Sequence, residues 1–175
     1  CVRLHDKAYT IGRFGIEDPP GISAKNVTGI TEDSLLERRY LLMIGNIRVL
    51  LIDDEKVFSN ALTSVLTRRG MSVRTAADGI LALELLERET FDVLVLDMRM
   101  PGMDGVEVLK VFRCRDPVTP VIILTGNVSM TQTRQALKHG ASEVILKPCP
   151  IETLVSSIEN AFERKCLATD VAERA

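Results

Sequence analysis

Residues 91–105 read FDVLVLDMRMPGMDG. Four consecutive apolar residues, Val93–Leu96, run straight into an acid, Asp97, and then into a loop carrying Pro101 and Gly102. An unbroken apolar run of strand length predicts a strand buried on both faces, as in a parallel sheet covered by helices on either side. The predicted strand spans Phe91–Asp97. After the loop Met98–Asp104, a helix is expected from Gly105 to about Arg113, with Val106, Leu109 and Phe112 at helical spacing on its inner face.

The same unit recurs on either side. Upstream, the run Val49–Ile52 ends in Asp53-Asp54-Glu55. Lys56–Arg69 then carries Phe58, Leu62, Val65 and Leu66 at helical spacing, and Gly70 closes that helix. Met71–Ala76 reads as a second strand. Asp78 is placed to cap a helix over Gly79–Glu89 with Ala82, Leu85 and Leu86 inward. Downstream come a strand at Pro120–Thr125, a weakly amphipathic helix at Met130–His139 closed by Gly140, and a strand at Ser142–Leu146. Ile151–Lys165 completes the pattern with Leu154, Val155, Ile158, Ala161 and Phe162 on one face. Five strand–helix units with short connections predict an α/β fold: a five-stranded parallel doubly wound sheet with helices on both faces.

The flanks read differently. Residues 1–45 hold several glycines and Pro19-Pro20 without a sustained period, which predicts a poorly structured N-terminal extension or linker. Within it, Ser34 and Glu37 have capping-box spacing ahead of a short helix over residues 35–44. The domain itself is placed at 46–166, and 167–175 is read as a tail that frays. Residue 1 is Cys, and Met43 precedes the first strand by a few residues. Residues 1–42 are therefore expected to be dispensable for the fold, as a linker in a longer protein or as sequence upstream of a start at Met43.

Composition narrows the function classes. The chain has 175 residues, 46% of them hydrophobic and 26% charged, enough for a packed core. A net charge of −2 lacks the basic footprint of a nucleic-acid binder, and 4% aromatics with no Trp make a base-stacking platform implausible. No nucleic-acid or membrane partner is expected: no apolar run approaches the roughly 20 residues that a spanning helix needs. The four cysteines form no C-x-x-C pair, so reduced thiols and a cytoplasmic location are expected.

In open parallel sheets the site lies at the carboxyl ends of the strands, where the strand order reverses. Strand one ends in Asp53 and Asp54, strand three in Asp97, strand four in Thr125, and strand five runs into Lys147. Taken singly, these are ordinary turn formers, helix caps or an exposed charge. Taken together, three carboxylates, a hydroxyl and an ammonium end the strands of one sheet on one edge. Crowded carboxylates repel, and a hard divalent cation relieves that repulsion. Mg2+ keeps waters, accepts phosphate oxygens and suits transfer of a phosphoryl group to a carboxylate.

The segments VLLIDDE, DVLVLDMRMPGMDG, VIILTG and VILKP occur in that order. Over about Ile47–Lys165 the chain resembles the receiver domain of two-component response regulators. The resemblance implies the strand order 2-1-3-4-5. It implies Asp97 as phosphoacceptor, and Mg2+ held by Asp53, Asp54, Asp97 and the backbone carbonyl of Arg99. Lys147 would pair with the phosphoryl oxygens, Thr125 would be the hydroxyl that moves to meet them, and the Lys147–Pro148 peptide would be cis. A sensor histidine kinase or phosphotransfer protein is the implied donor. A protein target is the implied output, met through the fourth helix, fifth strand and fifth helix, with homodimerisation left open. The protein would be a signalling phosphoacceptor and not an enzyme. One position departs from the family: Val144 stands three residues before the lysine, where a Tyr or Phe is common.

Two other readings compete. A Mg2+-dependent phosphohydrolase with an aspartyl nucleophile usually needs an acid two residues after it, where this chain has Arg99. A flavin binder needs a hydroxyl- and glycine-rich loop after strand one, where this chain is acidic. The receiver module of a hybrid histidine kinase remains an alternative setting. His5, His139, Cys149, Arg113 and Arg115 carry no clear chemistry. Cys149 reads as an apolar filler more readily than a reactive thiol, and both arginines read as solvated.

Overall fold

The computed structural model describes residues 47–126 and 129–174, with side chains up to residue 169. The expected extension at 1–45, its helix at 35–44 and His5 lie outside the described residues.

Among the described residues, five strands and five helices alternate: β1 Arg48–Ile52, α1 Lys56–Arg68, β2 Ser72–Ala76, α2 Gly79–Arg88, β3 Val93–Leu96, α3 Gly105–Arg115, β4 Val121–Thr125, α4 Met130–Lys138, β5 Glu143–Leu146 and α5 Ile151–Arg174. All pairings are parallel, in the order β2-β1-β3-β4-β5. Both the doubly wound architecture and the strand order agree with the sequence reading. The order reverses between β1 and β3, which opens a crevice at their carboxyl ends.

β1, β3 and β4 are buried throughout apart from Arg48. Their side chains alternate between two cores, because successive strand residues point to opposite faces. Leu50, Ile52, Leu94, Leu96 and Ile123 meet Ala82 of α2, Leu109 and Phe112 of α3, and Ala136 of α4. Val49, Leu51, Val93, Val95, Ile122 and Leu124 meet Leu62 and Leu66 of α1 and Leu154, Ile158 and Ala161 of α5. A continuous apolar run is thus two half-runs, one for each layer of helices. Each fully buried Leu or Ile contributes about 1.5–3 kcal/mol relative to exposure.

The outer strands depart from that pattern. β2 shows Ser72, Arg74 and Thr75 to solvent, and β5 shows Leu146. Among the described residues they are edge strands, so one flank has no neighbouring strand there. Polar residues inside Met71–Ala76 are the sequence's record of this.

Local signals fix the helix ends. Asp78 Oδ1 accepts from Leu81 N at 2.8 Å, and Asp104 Oδ1 from Val106 N at 3.0 Å. Ser129 and Gln132 form a reciprocal capping box at the start of α4, which the sequence reading passed over. Gly70 and Gly140 follow α1 and α4 with positive φ, as expected of C-terminal caps. α5 runs to Arg174, well past the Lys165 end expected for it, so the tail read at 167–175 is helical through Arg174. Residues 166–174 contain neither Gly nor Pro and are rich in good helix formers, so nothing stops the helix there.

Arg113 corrects a second expectation. It is not merely solvated. Its Nε and Nη2 donate to Gly140 O at 3.0 and 2.9 Å, and its Nη1 donates to Asp116 O and Thr119 O at 3.0 and 2.6 Å. One planar guanidinium gathers three carbonyls from the turns before β4 and β5, which suits its fixed fork of donors. Arg115 is exposed and pairs with Glu87 at 2.8 Å; a pair of that kind contributes about 0–1 kcal/mol.

Candidate functional site

Register decides which side chains meet. Ile52 pairs with Leu96, so Asp53 and Asp97, one residue on, leave adjacent strands side by side. Asp97 N donates to Ile52 O at 2.8 Å, and Asp53 N to Ala76 O at 3.0 Å, which extends the ladder by one step. Thr125 pairs with Leu146, and Lys147 N donates to Thr125 O at 2.8 Å. The Lys147–Pro148 peptide is cis, as the resemblance implied.

Lys147 joins the two acids. Its Nζ forms an ion pair with Asp53 Oδ2 and stands 3.5 Å from Asp97 Oδ1. Asp53 is 3% exposed and Asp97 7%. Each acid also takes a backbone donor: Glu55 N bonds Asp53 Oδ1 at 2.8 Å, and Arg99 N bonds Asp97 Oδ2 at 2.8 Å. The carboxylate repulsion read from the sequence is therefore met inside the chain, by an ammonium between the two acids.

Compensation is incomplete at Asp97. Burial pushes its carboxyl above the ordinary carboxylate range, and the charge of Asp53 adds to that. Lys147 and the Arg99 N–H pull the other way without cancelling it. The folded protein thus binds this proton more tightly than the unfolded chain does. The resulting stability is complete below the unfolded pKa and is lost as pH rises through the higher folded value. Asp97→Asn keeps the acceptor for Arg99 N and removes the charge. It is expected to raise the urea midpoint at neutral pH, with the gain fading in acid; a lower midpoint at both pH values would contradict this.

Asp54 and Arg99 are exposed at the rim, beside Met100, Asp104 and Gln132, which line a shallow surface hollow there. Among the described residues, no three His, Cys, Asp or Glu side chains form a group that would hold a metal by themselves. The structure therefore brings together Asp53, Asp97 and Lys147 and leaves the Asp54 side chain outside that cluster. Two carboxylates are still a donor set that fits Mg2+, which takes few protein carboxylates and keeps several waters.

Thr125 lies at the end of β4, fully buried, and its Oγ1 has no hydrogen-bond partner among the described residues. A buried hydroxyl of this kind costs free energy until something meets it. Val144 is half-buried against the core formed with α2, α3 and α4. Phe58 is the residue that sequence reasoning missed: Lys147 Nζ stands 4.2 Å from the centroid of its ring. Its helical spacing marked it as a core residue, and nothing local couples it to a lysine 89 positions away in the sequence. Cys149 packs half-buried at the margin of the other core, and burial pushes its thiol up, which suits a filler. His139 ends α4, its N–H bonded to the carbonyls of Gln135 and Ala136.

A family model described as the response regulator receiver domain matches residues 49–159. The response regulator MprA of Mycobacterium leprae (strain TN) is 36% identical over 126 residues, an alignment that covers 72% of this chain and 55% of that protein. The transcriptional regulatory protein ZraR of Escherichia coli (strain K12) is 34% identical over 117 residues, covering 67% of this chain and 26% of that protein. The chain spans about half the length of the MprA relatives it matches. Among solved structures, the Francisella response regulator 1452 receiver domain superposes with a TM-score of 0.64 and 33% identity, over 68% of this chain and 98% of that one. A response regulator receiver domain protein from Clostridium thermocellum gives a TM-score of 0.67 and 32% identity, over 70% and 98% of the two chains.

Proposed function

The chain belongs to the response regulator receiver domain family of two-component systems, and on that premise we propose that it is switched by phosphorylation of Asp97. The observation that carries this reading is the pairing of two buried carboxylates, Asp53 and Asp97, around one ammonium at the switch in strand order. The donor would be the phosphohistidine of a sensor histidine kinase or of a phosphotransfer protein. An Asp97 carboxylate oxygen forms a bond to phosphorus, the bond from phosphorus to the imidazole nitrogen breaks, and that nitrogen keeps the electron pair.

Each residue has a role that its surroundings support. Arg99 N holds Asp97 Oδ2 in place, so the other oxygen, Oδ1, which faces Lys147, is the one free to attack. Asp53 and Asp97, with Asp54 and the Arg99 carbonyl at the rim, would hold Mg2+. Bound there, the ion supplies positive charge to phosphoryl oxygens. Lys147 meets the same oxygens from the other side, and the unpartnered hydroxyl of Thr125 supplies a donor when it turns toward them. Their action is stoichiometric, a group accepted and later lost, so the protein is a signalling module and not an enzyme in turnover.

Output would pass through α4, β5 and α5. Met130, Leu137, Leu146 and Leu167 on these elements are 47–73% exposed, which supports a protein target as partner and leaves room for a second copy. With Val144 in place of an aromatic ring, this face would be moved by Thr125 and the strand end rather than by a swinging ring. None of the described helices is long and apolar enough to cross a membrane, which is compatible with a cytoplasmic setting.

The test is uptake of a phosphoryl group from acetyl phosphate with Mg2+, without Mg2+, and in Asp97→Asn. Uptake by the wild type with Mg2+ alone is expected. Equal uptake by Asp97→Asn would defeat the assignment.

A further inference from the structure

Phe58 sits in the first turns of α1, five residues after Asp53, and is half-buried. Its ring faces the Lys147 ammonium, with 4.2 Å from Nζ to the ring centroid. That ammonium is therefore held from three sides: the Asp53 carboxylate, Asp97 Oδ1 at 3.5 Å, and the face of an aromatic ring. The lysine side chain is 16% exposed, so water screens these contacts poorly.

We propose that Phe58 is a positioning residue that keeps the Lys147 ammonium beside Asp97 when Asp53 is engaged elsewhere. This rests on the reading of Asp97 as phosphoacceptor. In the metal-free chain, Asp53 is the nearer partner of Lys147. With Asp53 Oδ1 already accepting from Glu55 N, an Oδ2 that serves a cation holds the ammonium less strongly, so the lysine's nearer contact weakens just when Asp97 needs it. A ring face attracts a cation through its quadrupole and does not compete for the metal, since it offers no oxygen. The ring contact outlasts that weakening and keeps a long, flexible side chain from swinging to solvent. No aromatic stands at Val144, so Phe58 is the ring that serves this edge of the sheet among the described residues.

The test compares Phe58→Leu, which keeps apolar bulk but removes the ring, with Phe58→Tyr, which restores it. Two readouts are taken. In the metal-free protein, the Lys147 ε-methylene protons are expected to be shifted upfield by the ring current in wild type and Phe58→Tyr, and not in Phe58→Leu. With acetyl phosphate and Mg2+, Phe58→Leu is expected to take up phosphoryl about fivefold to thirtyfold more slowly, the ratio that corresponds to a partly desolvated cation–ring contact. Phe58→Tyr is expected to stay within about twofold of wild type. Equal rates in wild type and Phe58→Leu would overturn the inference, as would a Lys147 signal that does not respond to removal of the ring. A wild type that takes up no phosphoryl group would instead defeat the reading of the site itself.

Discussion

Lys147→Ala is expected to destabilise the fold by about 3 kcal/mol at neutral pH, because it leaves buried charge without a partner. Asp53 is 3% exposed and Asp97 7%, and the ammonium between them is the positive charge that both share. Without it, the two carboxylates face each other across adjacent strand ends, and the cost of burial that already raises the Asp97 carboxyl loses its main opponent. The pH dependence has a definite sign. The Asp97 carboxyl, already raised by burial, then titrates higher still in the folded state, so the penalty is largest where it must be ionised and shrinks as acid protonates it. Urea unfolding at about pH 7 and about pH 4 is the measurement. A loss of the same size at both pH values would mean that Lys147 stabilises by packing alone.

Gly105→Ala is the other large effect expected. A Cβ at Gly105 would stand 2.4 Å from the Asp97 carbonyl oxygen and 2.9 Å from Met98 Cα, both main-chain atoms that cannot rotate away. Gly105 N also donates to Met98 O at 3.1 Å, so the start of α3 is tied to the strand end that it would have to leave. A single methyl group should therefore cost about 3 kcal/mol, at the upper end for overpacking, and lower the melting temperature by about 10 °C. It should also disturb the site, because the atom struck belongs to Asp97. A variant that melts within about 2 °C of wild type would show that the loop Met98–Asp104 yields cheaply.

The strands and helices were legible from their apolar patterns, unbroken runs for the central strands and helical spacing for most helices. Val93–Leu96 could only be a doubly covered strand, and the face of α5 from Ile151 to Phe162 could only be an amphipathic helix. Asp53, Asp97, Thr125 and Lys147 were legible as a group because a parallel sheet gathers its strand ends on one edge, and the register brings all four there. Features that depend on distant partners were not. The carbonyls that Arg113 gathers come from two separate turns, before β4 and before β5, and no local pattern announces them. The contact of Phe58 with Lys147 is equally non-local, and a residue at core spacing gives no sign that its ring also faces an ammonium. The end of α5 was missed for another reason. Helix propensity carries it beyond its buried face, and the sequence was read by burial. Asp53 and Asp54 look alike in the sequence, and only the structure tells the buried acid from the exposed one.

The account stands on Asp97 as the residue that bears the phosphoryl group, and chemical mapping reads this directly. Protein treated with acetyl phosphate and Mg2+ is reduced with borohydride, which converts an aspartyl phosphate to homoserine, and its peptides are sequenced by mass spectrometry. Homoserine at position 97, and at no other acid, is the expected result. Homoserine at Asp53 or Asp54, or an unmodified Asp97 in protein that has taken up phosphate, would contradict it.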